Sequence, residues 1–191
     1  CGLSEATSGL VKVAGFDASF QKEKIKKNIG YMSQKFSLYN DLTVFENIRF
    51  YAGIYGIQNK LIRPKALELL HRLNFADSEN TLIRDLPLGW KQKLAFSVAG
   101  FHDPKIIFLD EPTGGVDPVT RRQFWDLIYE KAATGTTIFV TTHYMDEAEY
   151  CNRVTIMVDG RIDALDTPEN LKKQFNSANM NDVFVKLARN T

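Results

Sequence analysis

Two hydrophobic rhythms alternate along the chain. Short, continuously apolar and partly β-branched runs bounded by Gly, Pro or Asp recur, as in "KIIFLDEP" (Lys105–Pro112) and "TTIFVTTH" (Thr136–His143). Such runs predict strands buried on both faces of a parallel sheet. "NIGYMSQ" (Asn28–Gln34) predicts a shorter strand ending at a polar residue. "SGLVKVAGFD" (Ser8–Asp17) alternates and carries Gly9 and Gly15, the pattern of a hairpin or edge segment. "RVTIMVDGRI" (Arg153–Ile162) predicts two strands around an Asp159-Gly160 turn.

Between Asp41 and about Pro104 the period becomes helical. Thr43 and Glu46 have the spacing of a capping box, and Val44, Ile48, Tyr51 and Tyr55 share one face of the helix that follows. Leu67, Leu70 and Leu73 predict a second helix, and a third begins after Pro87. Asp117 and Pro118 form the cap and first turn of a helix bearing Phe124, Leu127 and Ile128, which Gly135 stops. "TPENLKKQF" (Thr167–Phe175) predicts a short capped helix. The expected architecture is an α/β core of residues 1–40 and 105–191, with residues 41–104 as an inserted helical subdomain.

Composition narrows this only slightly. The 191 residues are 44% hydrophobic and 25% charged, enough for a sizeable core. A formal net charge of +1 leaves no electrostatic footprint for nucleic acid. Cys1 and Cys151 are too few for a disulfide framework and point to a reducing cytosol. No apolar run reaches membrane-spanning length, so any membrane link is expected to pass through a partner.

Chemistry concentrates where the predicted strands end: at Gln34, at Asp110-Glu111 and at His143. Each alone has an ordinary explanation: a surface amide, a solvated turn, a capping histidine. Together they offer a carboxylate for a metal, a second carboxylate as base, an amide to orient water and an imidazole for a phosphate oxygen. Phosphoryl transfer needs those parts, because its catalysis is mostly positioning and charge neutralisation.

At these residues the chain resembles the nucleotide-binding domain of ABC transporters. "IIFLDEP" resembles the Walker B motif, "GYMSQ" the Q-loop, "GGVDP" the D-loop and "TTHYMDEAE" the H-loop, all in family order. The resemblance extends from Cys1 to about Val183. "FSLYNDLTVFENIRFYAGIYGI" and "LPLGWKQKLAF" are most similar to cassettes of ABC-2-type exporters, in particular one half of tandem-cassette subunits. The resemblance implies a RecA-like P-loop NTPase core, ATP and Mg²⁺ as cofactors, and a multidrug-export type of function. It also implies a transmembrane permease and a second nucleotide-binding domain as partners, with the protein held at the cytoplasmic face through the permease. By the same resemblance Asp110 would hold Mg²⁺ through water, Glu111 would polarise the attacking water, and Gln34 would join the metal and water shell. His143 would contact the γ-phosphate, and Asp117 would face the opposing cassette.

Two departures from the family pattern matter. Where the family has a Ser-Gly-Gly-Gln run that reaches the partner's γ-phosphate, this chain has Pro87, Leu88, Gly89 and Trp90. Gly89 keeps the close backbone approach and the helix start still favours an anion. The serine hydroxyl is gone, and losing one such donor typically costs about 10²–10³ in rate. The composite site is expected to be weak, or else Lys91 and the helix end take over. Second, the sequence contains no G-x-x-x-x-G-K-[ST] phosphate loop. In the family that loop lies just before "CGLSEATSG", so the RecA-like core is expected to be incomplete here, without its phosphate-loop strand and with a helix remnant at Cys1–Leu3. The whole protein is expected to hydrolyse ATP, and the chain as given not to bind it in the usual way. Two further readings stay open: a catalytically silent cassette acting as an interaction module, and a soluble, non-transport ABC ATPase. Phe36–Tyr55, rich in aromatics, suits a groove for a short helix of a membrane subunit.

Overall fold

The alternating glycine-bearing segment near the start of the chain folds back on itself, as its pattern predicts. β1 (Lys12–Val13) pairs antiparallel with β2 (Phe16–Asp17), and the turn places Ala14 at φ 52° and Gly15 at φ 84°. The computed structural model describes residues 4–35 and 37–189; the expected helix remnant at Cys1–Leu3 and the residue Phe36 lie outside the described residues. Two compact units divide the chain between Thr141 and Thr142.

In the first unit α1 (Lys22–Asn28), too short to show a period, anchors through the fully buried Ile25 and leads into β3 (Ile29–Met32). Three helices follow: α2 (Val44–Ile54), α3 (Asn59–Arg72) and α4 (Leu88–Ala99). Then come β4 (Ile106–Asp110), α5 (Pro118–Ala133) and β5 (Thr137–Thr141). The three strands form one parallel sheet in the order β3-β4-β5, with Met32 opposite Leu109 and Asp110 opposite Thr141. Parallel pairing requires crossovers, and the helices supply them.

One expectation for this sheet needs correction. The apolar runs are buried on one face, not two. Ile107 and Leu109 are buried, whereas Tyr31 is 45% and Phe139 53% exposed. The register explains the difference: Tyr31, Phe108 and Phe139 stand side by side on one face, and Gly30 and Ile107 turn to the other, against the end of α4. A continuous apolar run signals strand, and only register shows which of its residues are covered.

The helical block packs as the sequence predicts, around Val44, Ile48, Ala52, Ile62, Leu69, Leu70, Leu94 and Val98. The Thr43–Glu46 capping box forms, the Glu46 carboxylate accepting from the Thr43 N–H at 2.8 Å. Leu67 points outward, 42% exposed, while Leu70 and Leu73 are buried. A polar residue, Asn47, is buried in this block as well. Its Nδ2 donates to the carbonyls of Tyr39 and Thr43 at 3.0 Å, and its Oδ1 accepts from the Tyr39 N–H at 2.8 Å. A buried amide needs such partners, and here it ties the loop before α2 to the helix.

The second unit has its own small core. α6 (Met145–Ala148) precedes the hairpin of β6 (Val154–Val158) and β7 (Arg161–Asp166), whose turn holds Asp159 at φ 47° and Gly160 at φ 77°. α7 (Pro168–Gln174), capped by Thr167, and α8 (Met180–Arg189) cover it. Ala148, Ile156, Ala164, Leu171, Met180 and Val183 make the buried cluster.

Candidate active site

β4 ends at Asp110, and the chain then leaves the sheet abruptly. Glu111 adopts φ 44°, a left-handed backbone that costs a non-glycine residue roughly 1–2 kcal/mol. The turn is closed by the Gly114 N–H donating to the Glu111 carbonyl at 3.2 Å. It is tethered to β5, because the Glu111 N–H donates to the Thr141 carbonyl at 3.0 Å.

Because β4 is central, its two terminal acids have different neighbours. Asp110 accepts a 2.6 Å hydrogen bond from the Thr141 hydroxyl, on the β5 side. Glu111 accepts a 2.6 Å hydrogen bond from Nε2 of Gln34, two residues beyond β3. The two carboxylates are therefore held by separate donors on opposite flanks, and like charges adjacent in sequence are given separate partners. The Gln34 amide nitrogen is spent on Glu111, which leaves Oε1 as the atom able to ligate a metal.

Among the described residues no three His, Cys, Asp or Glu side chains gather as a metal cage. Mg²⁺ keeps several waters and is usually held by one or two carboxylates together with substrate phosphates. Asp110, half-buried at a strand end, fits the protein's share of such a set.

The residues in place of the Ser-Gly-Gly-Gln run start α4. Pro87 is its N-cap without a side-chain cap, and the Trp90 and Lys91 N–H groups donate to its carbonyl at 3.0 and 3.1 Å. The first-turn donors left over are those of Leu88 and Gly89. Gly89 lies against α5: a Cβ there would sit 2.6 Å from the Thr120 methyl. The Trp90 ring turns away, stacked on Phe75 with centroids 4.1 Å apart. The Lys91 ammonium donates to the Arg84 carbonyl at 3.1 Å.

Asp117 caps α5, accepting from the Val119 and Thr120 N–H groups at 3.0 Å and from the Thr120 hydroxyl at 2.5 Å. Those donors, the hydroxyl foremost, hold its carboxyl below the usual Asp range. His143 belongs to the second unit, exposed and tilted against Tyr144 with centroids 4.1 Å apart. It sits on a turn in which the Tyr144 N–H donates to the Thr142 hydroxyl, which in turn donates to the buried Glu147.

The structure thus brings Gln34, Asp110 and Glu111 together and sets Leu88 and Gly89 beside residues 115–120. Two residues escaped the sequence reading. Thr141 was legible only through its register opposite Asp110. Gln92 carried a fainter signal, a polar residue four positions before the buried Phe96 on the inward face of α4.

The family model described as ABC transporter matches residues 1–114. Over 194 residues the chain is 43% identical to the probable multidrug ABC transporter ATP-binding protein YbhF of Escherichia coli (strain K12), covering 98% of this chain and 33% of that protein. It is 36% identical over 177 residues to the phospholipid-transporting ATPase ABCA3 of Mus musculus, covering 92% of this chain and 10% of that protein. A solved structure of the ATP-binding subunit of an ABC transporter superposes with a TM-score of 0.84 at 26% identity, covering 97% of this chain and 79% of that one. The chain spans about a third of the length of the bacterial relative and about a tenth of the mouse one.

Proposed function

The chain belongs to the ABC transporter family and has the RecA-like α/β fold of its ATP-binding subunits, and from this premise we propose that it carries the water-activating half of an ATPase site that drives a membrane exporter. The observation that carries the reading is the 2.6 Å hydrogen bond from Gln34 to Glu111 at the carboxyl end of the parallel sheet. Ligands of open α/β sheets sit at that end, and a carboxylate oriented by an amide is suited to take a proton from water.

When bound, Mg-ATP would supply the phosphoanhydride and the cation that neutralises its charge. Asp110 would hold the cation through water, with its Oδ1 fixed by the Thr141 hydroxyl. Glu111 polarises the attacking water, and Gln34 fixes the Glu111 carboxylate while offering its own oxygen to the metal shell. His143 donates to a γ-phosphate oxygen. The first-turn N–H groups of Leu88 and Gly89, with the helix start behind them, present an anion site to the nucleotide of a second cassette. Lys91 adds charge to that region, and Asp117 fixes the α5 start that faces the same partner. Residues 41–104 act as the helical subdomain that receives the membrane subunit. At its start Phe50 packs edge-on to Tyr51 at 5.3 Å and to Tyr39, just before the subdomain, at 4.8 Å, and Ile54, one turn on from Phe50, is 63% exposed. Among the described residues no helix is long and apolar enough to cross a membrane. Membership of the ABC transporter family supports a permease partner for the membrane path and a place on the cytoplasmic side. Relatives named for multidrug and phospholipid transport support the exporter reading.

The test uses the protein expressed from its complete gene. Glu111→Gln should keep nucleotide binding in equilibrium titration and lower phosphate release by about 10²-fold or more. Unchanged release would remove Glu111 from this role, and a wild-type protein that binds its membrane partner without hydrolysing ATP would establish the silent cassette instead.

A further inference from the structure

Gln92 lies one turn into α4 and is fully buried. Its Nε2 donates to the carbonyl of Pro112, the residue that follows Glu111. Its Oε1 is buried with no hydrogen-bond partner among the described residues. The amide cannot be turned to relieve this, since oxygen would then face the Pro112 oxygen. A buried amide oxygen left unpaired is costly, so packing alone would favour an apolar side chain here. What the amide does instead is bridge two elements 20 residues apart. Three residues earlier on the same helix, Gly89 abuts Thr120, whose hydroxyl is bound to Asp117. Two successive turns of α4 therefore grip the two ends of the segment from Glu111 to Thr120.

The Glu111 backbone is left-handed, and such a conformation persists only where its surroundings over-determine it. Thr141 holds its N–H and Gln34 its carboxylate. Gln92 holds the Pro112 carbonyl, one peptide further along the turn.

We propose that Gln92 is a positioning residue that locks α4 to the Glu111 turn, so that the place of the α4 start and that of the Glu111 carboxylate are set together. The proposal rests on the reading of Glu111 as the water-polarising base. A shift of α4 would carry the Pro112 carbonyl with it and move the carboxylate relative to Gln34, and misplacements of about an ångström are worth up to about 10²-fold in rate.

The test compares Gln92→Met, which keeps length and volume but removes the donor, with wild type in the protein expressed from its complete gene. The expected result is a kcat about tenfold or more lower with KM for Mg-ATP unchanged within about twofold. Hydrogen exchange of the nucleotide-free protein should also become faster at residues 111–114. If Gln92→Met does not fold, Gln92→Asn, which keeps the amide but withdraws it by one methylene, carries the same expectation. An unchanged kcat, a loss confined to KM, or unchanged exchange at residues 111–114 would each overturn the proposal. Glu111→Gln measured alongside separates the two claims. If it hydrolyses normally, the base assignment fails, and the exchange data still decide whether Gln92 holds the turn.

Discussion

Replacing Gly30 with Ala tests the packing that holds the site. Gly30 lies in β3 opposite Ile107, and its missing side chain faces the end of α4. A Cβ built there falls 2.1 Å from the Ala99 carbonyl oxygen, 2.9 Å from its carbon and 3.3 Å from Cγ1 of Ile107. The first distance is more than an ångström short of the 3.4 Å at which ordinary contact begins. The obstacle is backbone, so no rotamer change relieves it, and either the last turn of α4 or strand β3 must move. Overpacking in a tight core costs typically 1–3 kcal/mol. With helix and strand both braced by the core, we expect about 3 kcal/mol. That is a large part of a domain's 5–15 kcal/mol and corresponds to a fall of roughly 6–12 °C in Tm for a chain of this size. Thermal and urea melts of Gly30→Ala against wild type measure it. Because β3 leads to Gln34, phosphate release should fall as well. A variant within about 0.5 kcal/mol of wild type would refute the idea that strand and helix meet at this glycine without room for a methyl group.

Three further outcomes are expected. Gly89→Ala should destabilise the wild type by about 1 kcal/mol, because its Cβ meets the Thr120 methyl at 2.6 Å. In a Thr120→Ser background, where that methyl is gone, the same change should stabilise through helix propensity, and equal effects in both backgrounds would refute the contact. Asp117 has its carboxyl held low by the Thr120 hydroxyl and by backbone donors, so its contribution is present above the unfolded value of about 3.9 and is lost as pH falls through the lower folded value. Asp117→Ala should thus be most destabilised, relative to wild type, near neutrality, and the gap in urea midpoints should narrow on acidification; a constant gap would count against it. Pro87→Ser with Leu88→Gly, which restores a hydroxyl at the α4 start, should raise phosphate release, whereas no gain would mean that the present residues already form a working variant.

Interactions that close within one turn of chain were legible in the sequence. The Thr43–Glu46 box, the Asp117 cap of α5, the Thr167 cap of α7 and the Asp159-Gly160 hairpin each depend on residues one to three positions apart. Their geometry follows from covalent spacing, whatever packs around them. The strand that delivers Asp110 and Glu111 was likewise written in a local apolar run and the breakers behind it. The side chains that hold those acids were not. The partner of Asp110 is 31 residues away and that of Glu111 is 77 away, and both depend on which strands flank β4. The partly exposed row of Tyr31, Phe108 and Phe139, the tight seat of Gly30 and the inward turn of Gln92 are settled by register and by the approach of α4 to the sheet. Spacing along the chain encodes hydrogen bonds that a single turn can close. Contacts between distant segments exist only once burial has fixed how sheet and helices meet, and there the tertiary structure alone decided.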